Sequence, residues 1–154
     1  MTTFEYLPVP AADLARIRRT GHDDHGNPLV PQLSEAGLPL RCCLRVSTEG
    51  ERIALIAYRP SALGGPYAEI GPVFVHTNDC GGPESTTSFP SDFTNRRAVL
   101  RPYDAGGRLM DGVLAGPGES ETLLKQLFTD PGVAVVHVRN VIAGCWNFSV
   151  RRAS

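Results

Sequence analysis

Six short runs of alternating or β-branched residues, each bounded by turn formers, constrain this chain more than any other feature of its sequence. They fall at residues 41–46, 52–58, 73–77, 98–103, 133–139 and 146–151. Side chains two apart on a strand share a face, so this period predicts strands with one face against a core. The first two runs are separated by residues 47–51 and the last two by residues 140–144, lengths that predict hairpins and hence a largely antiparallel sheet. Two helices are expected beside it. Residues 11–20 carry Leu14 and Ile17 at helical spacing, have arginines in the last turns and stop at Gly21. Residues 119–128 are acidic at the start, apolar at Leu123, Leu124, Leu127 and Phe128, and are stopped by Asp130-Pro131-Gly132. The fold class that follows is α+β: a single domain, mainly an antiparallel sheet of about six strands, with two or more helices. Residues 1–40 supply an N-terminal helix and loop packed on a sheet-containing part at 41–154. The longest irregular stretch is 78–95.

A chain of 154 residues buries about 70% of the surface its unfolded form exposes, enough for a core without disulfides or metal. The net charge of −1 lacks the electrostatic footprint of a protein that grips nucleic acid through its phosphates. No segment approaches the roughly 20 apolar residues of a spanning helix, and the N-terminus has no export signal, so no membrane is expected as a partner. Four cysteines without a C-x-x-C pair suit reduced thiols in the cytoplasm. Fourteen arginines stand against the single Lys125. A GC-rich bacterial genome accounts for that bias in bulk, whereas an anion site accounts for arginines at particular positions.

The alternation also sorts the polar residues. Arg41, Cys43 and Arg45 are expected opposite Cys42, Leu44 and Val46. Arg101 and Tyr103 oppose Leu100, and His137 and Arg139 oppose Val136 and Val138. Trp146, Phe148 and Val150 form an apolar side of the last strand. If the polar faces coincide, Arg45, Arg101, Tyr103, His137 and Arg139 form a surface for an anionic small molecule. The competing readings are a solvated outer face and a surface for a partner protein.

A second candidate is the end of the 73–77 run, where His76 is followed by the glycine-rich turn of Cys80. An imidazole beside a thiol on turn amides is the setting for acid-base or nucleophilic chemistry, with Cys145 as a further thiol. The same atom types suit zinc, for which His76, Cys80, His137 and Cys145 would supply two nitrogens and two sulfurs. His22-Asp23-Asp24-His25 offers four ligand types in a row, but such residues more often make turns. The segment 143–146 matches the tail of a papain-type nucleophile motif, yet no histidine follows Cys145, and the match fails. The glycine clusters at 64–65 and 116–118 lack the context of a nucleotide-binding loop, so no cofactor is assigned.

Several separated blocks are familiar in this order. Tyr67-Ala68-Glu69-Ile70-Gly71-Pro72-Val73-Phe74-Val75-His76 is followed by Cys80, Phe89-Pro90 and Leu100-Arg101-Pro102-Tyr103-Asp104. After these come Val136-His137-Val138-Arg139-Asn140 and Gly144-Cys145-Trp146-Asn147-Phe148. From about Arg41 onward the chain resembles the bacterial domain-of-unknown-function family 1203 (DUF1203). The resemblance implies a bacterial setting and a domain definition, and it carries no reaction.

Overall fold

A computed structural model describes residues 3–60 and 64–154. In chain order the elements are β1 (Phe4–Leu7), α1 (Ala11–Thr20), β2 (Gln32–Leu33), β3 (Pro39–Leu40), β4 (Arg45–Val46), β5 (Arg52–Tyr58) and β6 (Gly71–His76). A 3₁₀ turn at Ser91–Phe93 precedes β7 (Ala98–Tyr103), β8 (Val113–Ala115), α2 (Ser120–Leu127), β9 (Val135–Arg139) and β10 (Trp146–Arg152). The strands form two five-stranded sheets, ordered β1-β10-β9-β7-β8 and β2-β5-β6-β3-β4. Every pairing between these strands is antiparallel except β3 with β6. The α+β class expected from the period-two runs is the one observed. The strands are divided between two sheets, and short strands outside the six runs complete each of them.

Each sheet has its own core. Leu100, Val136, Val138, Phe148 and Val150 of the first sheet pack against Leu124 and Phe128 from α2 and its C-terminal end, and against Phe89 and Phe93. The Phe148 ring meets those of Tyr6, Phe89 and Phe93 edge-on, at centroid distances of 6.2, 5.6 and 5.5 Å. In the second sheet, Leu40, Ile53, Ile56, Val73 and Val75 pack against Leu14 and Ile17 of α1. That helix ends at Gly21, whose φ of 76° turns its N–H onto the Ile17 carbonyl at 2.9 Å.

Three sequence expectations need correction. Residues 41–46 are not one strand: a turn at 41–44 interrupts them, closed by the Leu44 N–H on the Leu40 carbonyl at 3.0 Å, with Leu44 at φ 56°. The hairpin across 47–51 does not form, since β4 pairs with β3 while β5 lies between β2 and β6. Nor does Trp146 share a side with Phe148. The β9–β10 register shifts between them, pairing Trp146 with Arg139 and Phe148 with Val138. This bulge turns Trp146 into the second core, where its ring packs on Tyr58 at 5.6 Å. Trp146 thereby links the two halves of the fold, and the buried Arg41 guanidinium reinforces the link. Its Nε donates to the Trp146 carbonyl at 2.8 Å and its Nη1 to the Pro39 carbonyl at 2.7 Å.

Candidate metal centre

The parallel pairing of β3 with β6 sets Leu40 opposite Phe74, and the Arg41 N–H continues the ladder to the Phe74 carbonyl. Two residues further along, Cys42 lies beside His76. Because residues 41–44 turn helically, successive side chains diverge by about 100° and not by the 180° of a strand, so Cys42 and Cys43 both reach His76. The Cys42 and Cys43 Sγ atoms lie 3.2 and 3.8 Å from His76 Nδ1, and 3.9 Å from each other. Cys80 completes the cluster, and one ligand atom from each of the four residues lies within 4.8 Å of the others. Cys42 and Cys43 are buried, whereas Cys80 is exposed on a cleft of about 580 Å³ that also borders Cys43, Arg45 and Ser85.

The surroundings are ordered around these atoms. His76 Nε2 faces Glu51 Oε1 at 2.9 Å. Glu51 in turn holds Arg45 through both carboxylate oxygens, one of them at 3.1 Å, and accepts the Thr48 N–H at 2.7 Å. The Arg45 guanidinium is the main reason that the Glu51 carboxyl sits well below the usual range, against the opposing effect of burial. Each sulfur has a backbone amide aimed at it: His76 N–H on Cys42 at 3.2 Å, Arg45 N–H on Cys43, and Gly82 N–H on Cys80. The last two follow their cysteine by two residues, across Leu44 and Gly81, which have positive φ of 56° and 82°. Hydrogen bonding between the thiols raises Cys42 and lowers Cys43, with burial adding to the first and Arg45 to the second. From the other side Arg18 Nη2 donates to the His76 carbonyl at 3.0 Å and fixes the end of β6.

The residues singled out from the sequence are distributed over two places. His76, Cys80 and Arg45 belong to the thiol cluster. Arg101, Tyr103, His137 and Arg139 lie together on the other sheet, where Arg101 pairs directly with His137 across β7 and β9. The single arginine surface expected from alternation is therefore split, with Arg45 apart from Arg101 and Arg139. The latter two converge on Glu69, with Nη1 of Arg101 and Nη2 of Arg139 each 3.0 Å from its carboxylate. Between them His137 is buried against the Tyr103 ring, at 4.7 Å between centroids. Burial, with help from Arg139 and Arg101, pulls its pKa down to about 4 and keeps the ring neutral. Burial likewise raises the Tyr103 phenol.

His137 and Cys145 are not brought to His76 and Cys80, so the mixed two-histidine zinc set expected from the sequence does not assemble. Cys145 stands before β10 beside the Arg41 guanidinium. The His22-Asp23-Asp24-His25 segment is a loop clip. The buried Asp23 carboxylate accepts the N–H groups of His25, Asn27 and Ala57 at 2.9, 2.9 and 2.8 Å, and Asp24 pairs with Arg16.

Cys42, Cys43 and Glu51 were missed as members of one site. The adjacent cysteines were visible, but a strand reading sends their side chains to opposite faces. Among the described residues, no helix is long and apolar enough to cross a membrane. No curated protein and no solved structure matches the chain. The family model described as "Protein of unknown function (DUF1203)" matches residues 37–152, the span that holds the thiol cluster and the arginine pair, and the chain belongs to that family.

Proposed function

We propose that this domain is a zinc-binding module whose metal is held by Cys42, Cys43, His76 and Cys80. The observation that carries the reading is the spacing of the ligand atoms. With Zn–S bonds of about 2.3 Å and Zn–N bonds of about 2.0 Å, a tetrahedral site has edges of about 3.8 Å between sulfurs and about 3.5 Å between sulfur and nitrogen. Among Cys42, Cys43 and His76 the separations are 3.9 Å for the sulfur pair and 3.2 and 3.8 Å for sulfur to nitrogen, and the Cys80 sulfur lies within 4.8 Å of these atoms. Three sulfurs and one imidazole form a donor set suited to zinc, softer than the oxygen-rich sets that hold magnesium or calcium.

The supporting shell fits the same reading. Glu51 on Nε2 fixes the tautomer that leaves the Nδ1 lone pair toward the sulfurs, the carboxylate–histidine arrangement common behind bound zinc. Amide donors on all three sulfurs disperse thiolate charge, and Arg45, while paired with Glu51, also attracts the Cys42 and Cys43 sulfurs. With four protein ligands the centre is closed, and its role is to tie the 41–44 turn, the end of β6 and the segment after it into one unit. The exposed side of Cys80 gives the ion a way in from the cleft.

The test is elemental analysis of the purified chain with cobalt substitution. One zinc per chain and the thiolate-to-cobalt charge-transfer band of a tetrahedral three-sulfur site are expected, with both diminished in Cys42→Ser and Cys80→Ser. A chain that takes up no zinc from a buffered titration under reducing conditions would refute the proposal.

A further inference from the structure

The charges around Glu69 do not balance. Two guanidinium groups, Arg101 and Arg139, meet the single carboxylate of Glu69, one on each oxygen. The groups packed between and beside them, His137 and Tyr103, are neutral. Asp104, the residue that follows β7, is turned onto the amides of its own turn, accepting from Gly106 and Arg108 at 3.0 and 2.9 Å. One positive charge is thus left over in a place where both arginines are about four-fifths shielded from water. A dianion neutralises such a pair where a carboxylate does not, and the planar forks of two arginines suit the oxygens of a phosphoryl group.

Glu69 is also a replaceable occupant. Its side chain is nearly half exposed, and it stands between β5 and β6, where the described residues 64–70 form no helix or strand. Next to it a cavity of about 220 Å³ reaches Arg139 and Glu69, with Tyr58, Ile70, Pro72 and Trp146 among its walls. That is smaller than the roughly 300–1,000 Å³ of drug-sized ligand sites, so the space suits a small molecule with an apolar body.

We propose that Arg101 and Arg139 bind the phosphoryl group of a small organic phosphate, whose apolar part enters this cavity while Glu69 is displaced. The site is separate from the thiol cluster and does not depend on metal. Glu69 acts as a tethered competitor, so removing its charge raises the fraction of chains ready to bind.

The experiment is calorimetric titration of the full-length chain and its Glu69→Gln variant with inorganic phosphate and with phenyl phosphate, alongside NMR of the His137 ring. Glu69→Gln is expected to bind both probes about 10-fold more tightly than the parent chain, phenyl phosphate more tightly than inorganic phosphate, and the His137 resonances to shift on binding. Adding Arg139→Gln to that variant removes the gain, and Arg101→Gln serves the same purpose if the Arg139 variant does not fold. Equal affinities for the parent chain and Glu69→Gln would overturn the proposal. So would binding that leaves His137 unmoved, or phenyl phosphate binding no better than inorganic phosphate.

Discussion

His76 Nε2 lies 2.9 Å from Glu51 Oε1, and this contact decides which nitrogen of the imidazole remains for a ligand. Nε2 carries the proton that Glu51 accepts, so Nδ1 presents its lone pair to Cys42 and Cys43. Arg45 holds Glu51 in place, which makes the arginine a support of the site at one remove from the ligands.

Glu51→Ala is expected to weaken zinc binding about 10- to 100-fold while leaving one ion per chain at saturation, because all four ligands survive and only the orientation of His76 is lost. Competition against a chromophoric chelator measures this. An unchanged affinity would show that Glu51 contributes nothing to the orientation of the ring.

Removing the metal is expected to destabilise the chain by about 4 kcal/mol when free zinc had exceeded its dissociation constant about 1,000-fold. The loss should be local. Amides of the 41–44 turn and of residues 76–82 gain hydrogen exchange, while those of β9 and β10, in the other sheet, keep their protection. Exchange measured with and without chelator distinguishes this from global loosening.

His137 gives a pH dependence of known sign. Its pKa is about 4 in the folded chain against 6.5 when unperturbed. The unfolded chain therefore binds the extra proton first, and stability is full above pH 6.5 and falls as the pH drops toward 4. Between about pH 7.5 and about pH 5 this amounts to about 2 kcal/mol. Urea unfolding at both values should show that His137→Phe loses less stability on acidification than the parent chain by about this amount.

Asp23→Ala is expected to cost about 1–3 kcal/mol, since it strips the acceptor from the N–H groups of His25, Asn27 and Ala57. Burial opposes ionisation of Asp23, but these hydrogen bonds outweigh it and hold the carboxyl below its ordinary 3.8. Its contribution is therefore complete above that value and is lost as acid protonates it in the folded chain. Asp24→Ala, which removes only an exposed pair with Arg16, should leave stability nearly unchanged in the same unfolding assay.

The legible part of this protein is the part governed by local period. Alternation at 98–103 and 133–139 marked β7 and β9 and grouped Arg101 with Tyr103 and His137 with Arg139, and the β7–β9 pairing is what sets the two groups side by side. The helices at Ala11–Thr20 and Ser120–Leu127 were marked by their apolar spacing and their stops. The strands at Gln32–Leu33, Pro39–Leu40 and Val113–Ala115 have two or three residues each, too few for any period to show. The bulge between Trp146 and Phe148 was hidden because an extra residue changes sides without changing composition.

The sequence by itself determined that this chain makes amphipathic strands and two helices, because burial of one face is written into every second or every third to fourth residue. It did not determine which strand lies beside which. That choice belongs to long-range pairing, and here the parallel contact of β3 with β6 brings residues 42 and 76 together across more than thirty positions. The turn at 41–44, closed by the Leu44 N–H on the Leu40 carbonyl, then sends two neighbouring cysteines toward one histidine, a geometry that no run of alternating residues encodes.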